Sequence, residues 1–474
     1  MECPSKETLS RLPLAESVLW LWRWITRDER METLWETHRG RCYQKSISFP
    51  VMVQLVADAV MQFDGSGRRS FEHAKAGDVL DSTVQAAYRK LGRLPIRLSQ
   101  GFLNQGAADL RELFPSSKRR DLPASLAAMT LVILDGKAVK EVAKRLKPFR
   151  GIAGGLLGGK ALVAQEWSTG MAVAMEADAD GDTNEVRLVE PLVRQTRLVV
   201  AGPRLWMTDC AFCDMEQTAR FTAEPGDHFL VRYHPKVKFY VDGNAVALSG
   251  TDAQGRPYIE DWGWLGGEQD KRRRYVRRIR LTLSDQEDLV LVTDLLDAQQ
   301  FPAVDLLNVY RERWGIEHMF QDVTEVFGLK RLIGGTPNAS LFQLALCLVL
   351  YNMIEVLRGY IAQGQQRPVD ELSDEKLFED VERQLIAWHV MIDLPATLEH
   401  LRDSPTATQM RATLERLLSG SWEEHWLKSP AQLHHGMTPR KRGCTHHSTY
   451  RILQAVSHAR LKARKKAKAL AAVT

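Results

Sequence analysis

Three carboxylates in this chain stand where a carboxylate needs a reason. One apolar run, LVILDG, reaches Asp135; a second, LWMTD, ends at Asp209; and YRERWGIEHMF carries Glu317. Aspartate is disfavoured inside strands, although a turn or cap accounts for either aspartate taken alone. Glu317 taken alone reads as an i, i+4 partner of Arg313. Together the three describe different chemistry. If the two runs are neighbouring parallel strands, Asp135 and Asp209 emerge side by side at the carboxyl edge, where α/β sheets bind ligands. A helix carboxylate beside them makes a cluster that cannot stay fully ionised without counter-charge. Hard divalent cations supply that charge, and Mg2+ keeps open positions for water and phosphate oxygens. Two such ions about 4 Å apart activate an attacking oxygen and stabilise a leaving one, which is phosphodiester chemistry. Asp214 is the alternative to Asp209 as the second ligand.

The elements that must hold these groups are legible in outline. MTLVILD, KALVAQEWSTG and MAVAMEADADGD read as three successive strands, residues 183–196 have helical periodicity, and LVVAGPRLWMTD reads as a fourth strand. That order is an α/β layer pattern. Residues 220–298 are mostly β, with Asp242-Gly243 as a hairpin signal. Residues 303–329 predict one long helix with Ile316, Phe320, Val323 and Phe327 as its apolar stripe. On it Tyr310, Arg313 and Glu317 share a face, at about 100° per residue. Before this block, residues 1–114 predict helices and 115–124 a linker. Ser82 is the expected cap of a helix followed by Arg89, Lys90, Arg93 and Arg97, which resembles the second half of a helix-turn-helix. A solvated helix face is the competing reading.

Composition narrows the class. With 474 residues, two to four domains are expected, and 44% hydrophobic residues exclude a disordered chain. Six cysteines make no disulfide scaffold, so a reducing cytoplasm is expected. Cys210 and Cys213 form one C-x-x-C pair, but the candidate partners His434, His435, His446 and His447 are too remote in sequence to predict zinc. No signal peptide is expected from the first twenty residues. The apolar stretch 340–357 contains Gln343, Asn352 and Glu355, and so predicts a core helix rather than a membrane span. The net charge is only +5, yet residues 460–468 alone hold six basic residues and no acid, and residues 271–280 hold seven in ten. Charge gathered this way predicts a polyanion partner.

The residues above also carry a resemblance. The LDG context of Asp135, TDCAFCD around Asp209, and the signature Y-x2-R-x3-E on a helix resemble the DDE transposases of bacterial insertion sequences, in the insertion-sequence-four group with the Tn5 and Tn10 transposases. The likeness covers most of residues 125–357. It implies an α/β fold with a ribonuclease-H-like mixed sheet and a β-rich insertion, flanked by N- and C-terminal helical regions. The implied boundaries are a DNA-binding region at 1–120, a catalytic domain at 125–215 and 286–335, an insertion at 216–285, and a C-terminal region with its basic tail at 336–474. It further implies Mg2+ (or Mn2+), two ions per site, held by Asp135, Asp209 and Glu317. The implied partners are double-stranded DNA, at inverted-repeat ends and at the target, and a second protomer in a synaptic homodimer. A cytoplasmic, nucleoid-associated protein with no membrane partner follows from the same likeness. DNA contacts are expected from Tyr310, Arg313, Lys330 and Arg331, and from Arg272, Arg273, Arg274, Arg277 and Arg278 of the insertion. Trp262 and Trp264 are candidates to stack on a flipped base, with ordinary packing as the competing reading. The sequence departs from the signature once: the lysine seven residues after the glutamate is Thr324. A non-mobile nuclease on the same fold and a silent DNA-binding protein are the alternatives.

Overall fold

The computed structural model describes residues 12–140, 142–283, 287–391, 405–429 and 445–471. Its N-terminal part is helical: α1 (Pro13–Ile25), α2 (Asp28–His38), α3 (Phe49–Met61), α4 (Gly67–Ala76), α5 (Val84–Leu91) and α6 (Ile96–Leu113). The cap of α5 is Thr83, one residue beyond the expected Ser82, and its hydroxyl accepts from the Ala86 N–H at 3.1 Å.

The central layer then follows as β1 (Thr130–Ala138), β2 (Gly155–Leu157), β3 (Lys160–Glu166), β4 (Ala172–Asp178), α7 (Val186–Val199), β5 (Arg204–Thr208), α8 (Met215–Phe221) and β6 (His228–Arg232). Spatial order in the sheet is β4-β3-β1-β5-β6. The β1–β3 and β3–β4 pairs are antiparallel, whereas β1–β5 and β5–β6 are parallel. Three antiparallel strands continued by two parallel ones make the ribonuclease-H-like mixed sheet. Strands β1, β3 and β5 are almost wholly apolar because helices cover both of their faces.

The β-rich segment extends this sheet. It consists of β7 (Phe239–Val241), β8 (Leu248–Thr251), β9 (Pro257–Leu265), β10 (Arg274–Leu281) and β11 (Leu289–Thr293). Strand β11 pairs antiparallel with β6, and β10, β9 and β7 continue outward from it. The Asp242-Gly243 signal does not make the hairpin it suggests, for β7 and β8 both pair with β9 and not with each other. The hairpin is β8–β9. There Asp252 Oδ1 accepts from the Gln254 and Arg256 N–H groups, each at 2.9 Å, and Gly255 takes a positive φ of 76°. An Asx-turn closed by a left-handed glycine outcompetes Asp-Gly here.

The single helix expected over 303–329 is two: α9 (Ala303–Arg311) and α10 (Trp314–Glu325). At the junction the Glu312 and Arg313 N–H groups reach back only three residues, to Val309 and Tyr310. Such tightening marks a helix end, and Gly315 just beyond it weakens continuation.

After α10 come α11 (Pro337–Gly364), α12 (Asp374–Met391), α13 (Ala407–Leu418), a short β12 (His446–Ser448) paired in parallel with β2, and α14 (Thr449–Ala471). By length and composition α11 is apolar enough to cross a membrane, but its most apolar window is entirely buried. Its polar residues have specific partners. The Asn352 amide makes both hydrogen bonds to the Ala172 backbone, at 2.9 and 2.8 Å, and so ties α11 to β4. Glu355 pairs with Arg358, and Gln343 accepts from the Ile333 N–H. Buried polar groups satisfied in this way belong to a protein core.

Candidate active site

Parallel register sets the first two carboxylates. Thr130 is level with Arg204 and Ile133 with Met207. Asp135 and Asp209 each lie two residues beyond the last matched pair, Ile133 and Met207, Asp209 just past the end of β5, on neighbouring strands about 4.8 Å apart. Each aspartate is also tied locally. Asp135 Oδ1 accepts from the Gly136 N–H at 2.9 Å, and Asp209 Oδ1 accepts from the Ala211 N–H at 2.9 Å, capping a short turn. The local and the chemical readings are therefore compatible. Glycine after Asp135 has a steric reason, since a Cβ at Gly136 would sit 2.2 Å from the Glu185 carboxylate carbon. Asp214 caps α8 through the Gln217 N–H at 2.8 Å.

Helix α10 brings the third carboxylate. Arg313, almost fully buried, donates to Glu317 Oε1 at 2.8 Å. Tyr310 is buried, and its hydroxyl donates to the Thr208 carbonyl at 3.3 Å, pinning the end of α9 to the residue before Asp209. Burial pushes the Tyr310 phenol well above its usual range. The three carboxylates sense one another. Burial first of all pushes Asp135 up to about 7; Arg313 and the Gly136 N–H oppose the shift, while Asp209 and Glu317 add to it. The Arg313 guanidinium thus acts on both Glu317 and Asp135, and Lys137 adds a second positive charge near Asp135, against three partly buried carboxylates.

That surplus and its all-oxygen donor set suit a hard divalent cation. Among the described residues, no group of three or more His, Cys, Asp or Glu side chains is gathered tightly enough to hold a metal ion. The fit is therefore one of charge and donor type, with Arg313 as counter-ion. Burial holds the Cys213 thiol up at about 12, and Cys210 is free and half-buried. Of their candidate zinc partners, His434 and His435 lie outside the described residues.

The basic residues divide sharply. Arg277 is fully buried; its Nε donates to Glu260 Oε2 at 2.6 Å and an Nη to the Phe301 carbonyl at 2.6 Å. Arg278 forks onto Asp261, directly opposite on β9, at 2.9 and 2.5 Å. Arg274 donates to Thr222 at 2.6 Å. Arg272 and Arg273 are exposed; Arg272 lies 3.3 Å from Asp270, and Arg273 lies over the Trp264 ring at 4.4 Å. Trp264 also meets Tyr275 edge-on, and the Trp262 indole donates to the Leu296 carbonyl at 2.9 Å, so both tryptophans have packing partners. Lys330 pairs with Glu325 at 2.6 Å, and Arg331 pairs with Asp64; both are exposed.

Sequence reasoning passed over a nearer group. KAVKEVAKRLKPFR at residues 137–150 holds six basic residues and one acid, starting two residues after Asp135. Lys140, Lys144, Arg145, Lys147 and Arg150 are exposed. Among the described residues none of them pairs with a carboxylate. The signal was there as charge density, diluted by the apolar residues between the charges.

Residues 130–353 match the family described as the transposase DDE domain. A Synechocystis sp. protein, whose name assigns it to transposition of insertion sequence element IS4SA, is 24% identical over 153 residues; the match spans 31% of this chain and 40% of that relative. Among solved structures, a piggyBac transposase synaptic complex with hairpin DNA is similar over 88% of each chain, at 11% identity and a TM-score of 0.42. Residues 130–353, just under half of the chain, thus match a transposase DDE domain, and part of the chain is similar to the transposase of an insertion-sequence-four-like element.

Proposed function

We propose that this chain cuts DNA at the ends of its own element and joins the resulting 3′-OH to target DNA, using two divalent cations, Mg2+ or Mn2+, held by Asp135, Asp209 and Glu317. What supports the reading is the parallel pairing of β1 and β5, whose last matched pair, Ile133 and Met207, lies two residues before Asp135 and Asp209, together with the effect of Asp209 and Glu317 on the Asp135 carboxyl. Bound there, the cations would polarise the reacting phosphoryl group and stabilise the attacking and leaving oxygens.

The chain's own residues do the positioning. Arg313 orients the Glu317 carboxylate and offsets part of the negative charge. Tyr310 pins the end of α9 against the end of β5. Double-stranded DNA is the substrate, and two protomers in a synaptic complex would bring the element's ends together. Arg272, Arg273, Lys330 and Arg331, being exposed, are the expected basic residues most open to phosphate.

The test uses purified protein, Mg2+, and duplexes carrying the sequences that flank its reading frame, scored for nicking, hairpins and strand transfer. Asp135→Ala, Asp209→Ala and Glu317→Ala should each reduce cleavage to background while retaining DNA binding. A variant that cleaves and joins at the wild-type rate removes that residue from the assignment. Nicking without strand transfer by the unaltered protein would replace the transposition reading with a plain nuclease.

A further inference from the structure

Lys137 leaves β1 two residues after Asp135, so both side chains rise from the same face of the strand. Its Nζ donates to Thr324 Oγ1 at 2.7 Å and to the Phe320 carbonyl at 3.1 Å, and lies 5.3 Å from the centre of the Phe320 ring. Both partners belong to α10, the helix that carries Glu317. Thr324 is seven residues beyond Glu317, on nearly the same helix face and about 10.5 Å along the axis.

A half-buried ammonium normally has a carboxylate partner. Among the described residues Lys137 makes no direct ion pair, although Asp135 and Glu325 act on it from further off; a hydroxyl and a carbonyl take two of its three donors. A simple strand-to-helix tie needs no charge, and one of its three donors stays open. Thr324 stands where the signature Y-x2-R-x3-E-x6-K sets a lysine, and β1 delivers an ammonium to that very side chain. Beyond Lys137 the exposed cations of residues 140–150 continue the basic run.

We propose that Lys137 supplies, from β1, the cation that grips a DNA backbone phosphate beside the carboxylate site, with Thr324 and the Phe320 carbonyl as its cradle. The inference rests on the transposase reading above. Along one strand of duplex DNA a phosphate recurs about every 3.4 Å of axis. A strand running along α10 from a cut beside Glu317 would pass the Lys137 ammonium within about three nucleotides of the scissile bond.

The experiment measures binding of a fluorescent duplex, one of terminal sequence and one of random sequence, from about 50 to about 200 mM salt. Lys137→Met should bind both more weakly and lose one contact's worth of salt dependence. Its slope should fall by about 0.9, so that raising the salt costs it three- to four-fold less affinity than wild type. Its thermal midpoint should stay near wild type. Thr324→Lys in the Lys137→Met background should restore both slope and affinity, because it returns a cation to the same place. An unchanged slope in Lys137→Met overturns the proposal, as does a lowered midpoint that Thr324→Lys leaves without recovery of binding. Wild-type protein run in parallel separates the two readings. If it neither binds nor cuts these duplexes, the transposase reading fails; if it does both and Lys137→Met matches it, only the Lys137 assignment fails.

Discussion

The basic block on β10 and the basic segment after β1 differ little as strings of residues and greatly as surfaces. Residues 271–280 carry seven positive charges in ten, the denser of the two. Strand β10 lies between β9 and β11, and β9 sets Asp261 across from Arg278 and Glu260 across from Ile279, within diagonal reach of Arg277. Arg277 and Arg278 are thereby neutralised inside the sheet. Residues 137–150 are more dilute, but beyond Ala138 they leave the large sheet, and among the described residues none of their exposed cations pairs with a carboxylate. Availability to a polyanion thus depends on what register puts opposite a charge, and charge density alone overstates it.

The largest effect that would break this contrast lies in β10. Arg277→Met should destabilise by about 3–5 kcal/mol, because Glu260 would be left buried and unpaired. Urea unfolding measures it, and Glu260→Leu added to Arg277→Met should recover much of the loss. An unchanged midpoint in the single variant would mean that this arginine is not what neutralises Glu260.

In the other segment the effect should appear in binding. Replacing Lys144, Arg145, Lys147 and Arg150 by glutamine should lower the salt slope of duplex binding by up to about 3.6, at about 0.9 per phosphate contact. Stability should change by no more than about 0.5 kcal/mol per site. A full slope with reduced stability would reverse the comparison.

Acid should separate the regions too. Burial raises the Asp252 carboxyl, but hydrogen bonds and charge from Arg256 outweigh it and hold the group below its usual value; Arg311 adds a second contact at 2.8 Å. A depressed folded pKa gives stability that is present above about pH 4, the unfolded value, and is lost as pH falls through the folded one. Acid unfolding followed by circular dichroism should therefore show a loss below pH 4 that Asp252→Asn removes. Among the described residues, 137–150 hold no such pair and should contribute no matching loss. Smallest of all is Arg272→Gln, which opens an exposed pair with Asp270. It should cost under about 0.5 kcal/mol in thermal unfolding.

Much of the layer pattern was legible because apolar runs of strand length and the 3.6-residue stripe on Ile316, Phe320 and Val323 are local signals. The core helix α11 was legible for the same reason, together with the polar residues interrupting it. The β8–β9 hairpin was not, since its Asx-turn and the Asp-Gly pair compete on similar local terms. Nor was the break between α9 and α10, where every residue is individually compatible with helix.

The sequence by itself determined the residue types: two aspartates ending apolar runs, a glutamate one helical turn from an arginine, and clusters of positive charge. These are properties of neighbours in the chain, and local propensity suffices to read them. Only the tertiary structure decided that the strands leading to Asp135 and Asp209 are parallel neighbours, that Arg313 serves more than one carboxylate, that Lys137 reaches Thr324, and that Arg277 and Arg278 meet acids of β9. Each of these depends on strand order and register, which link residues tens to hundreds of positions apart. A shift of one residue would turn every side chain of a strand to its other face.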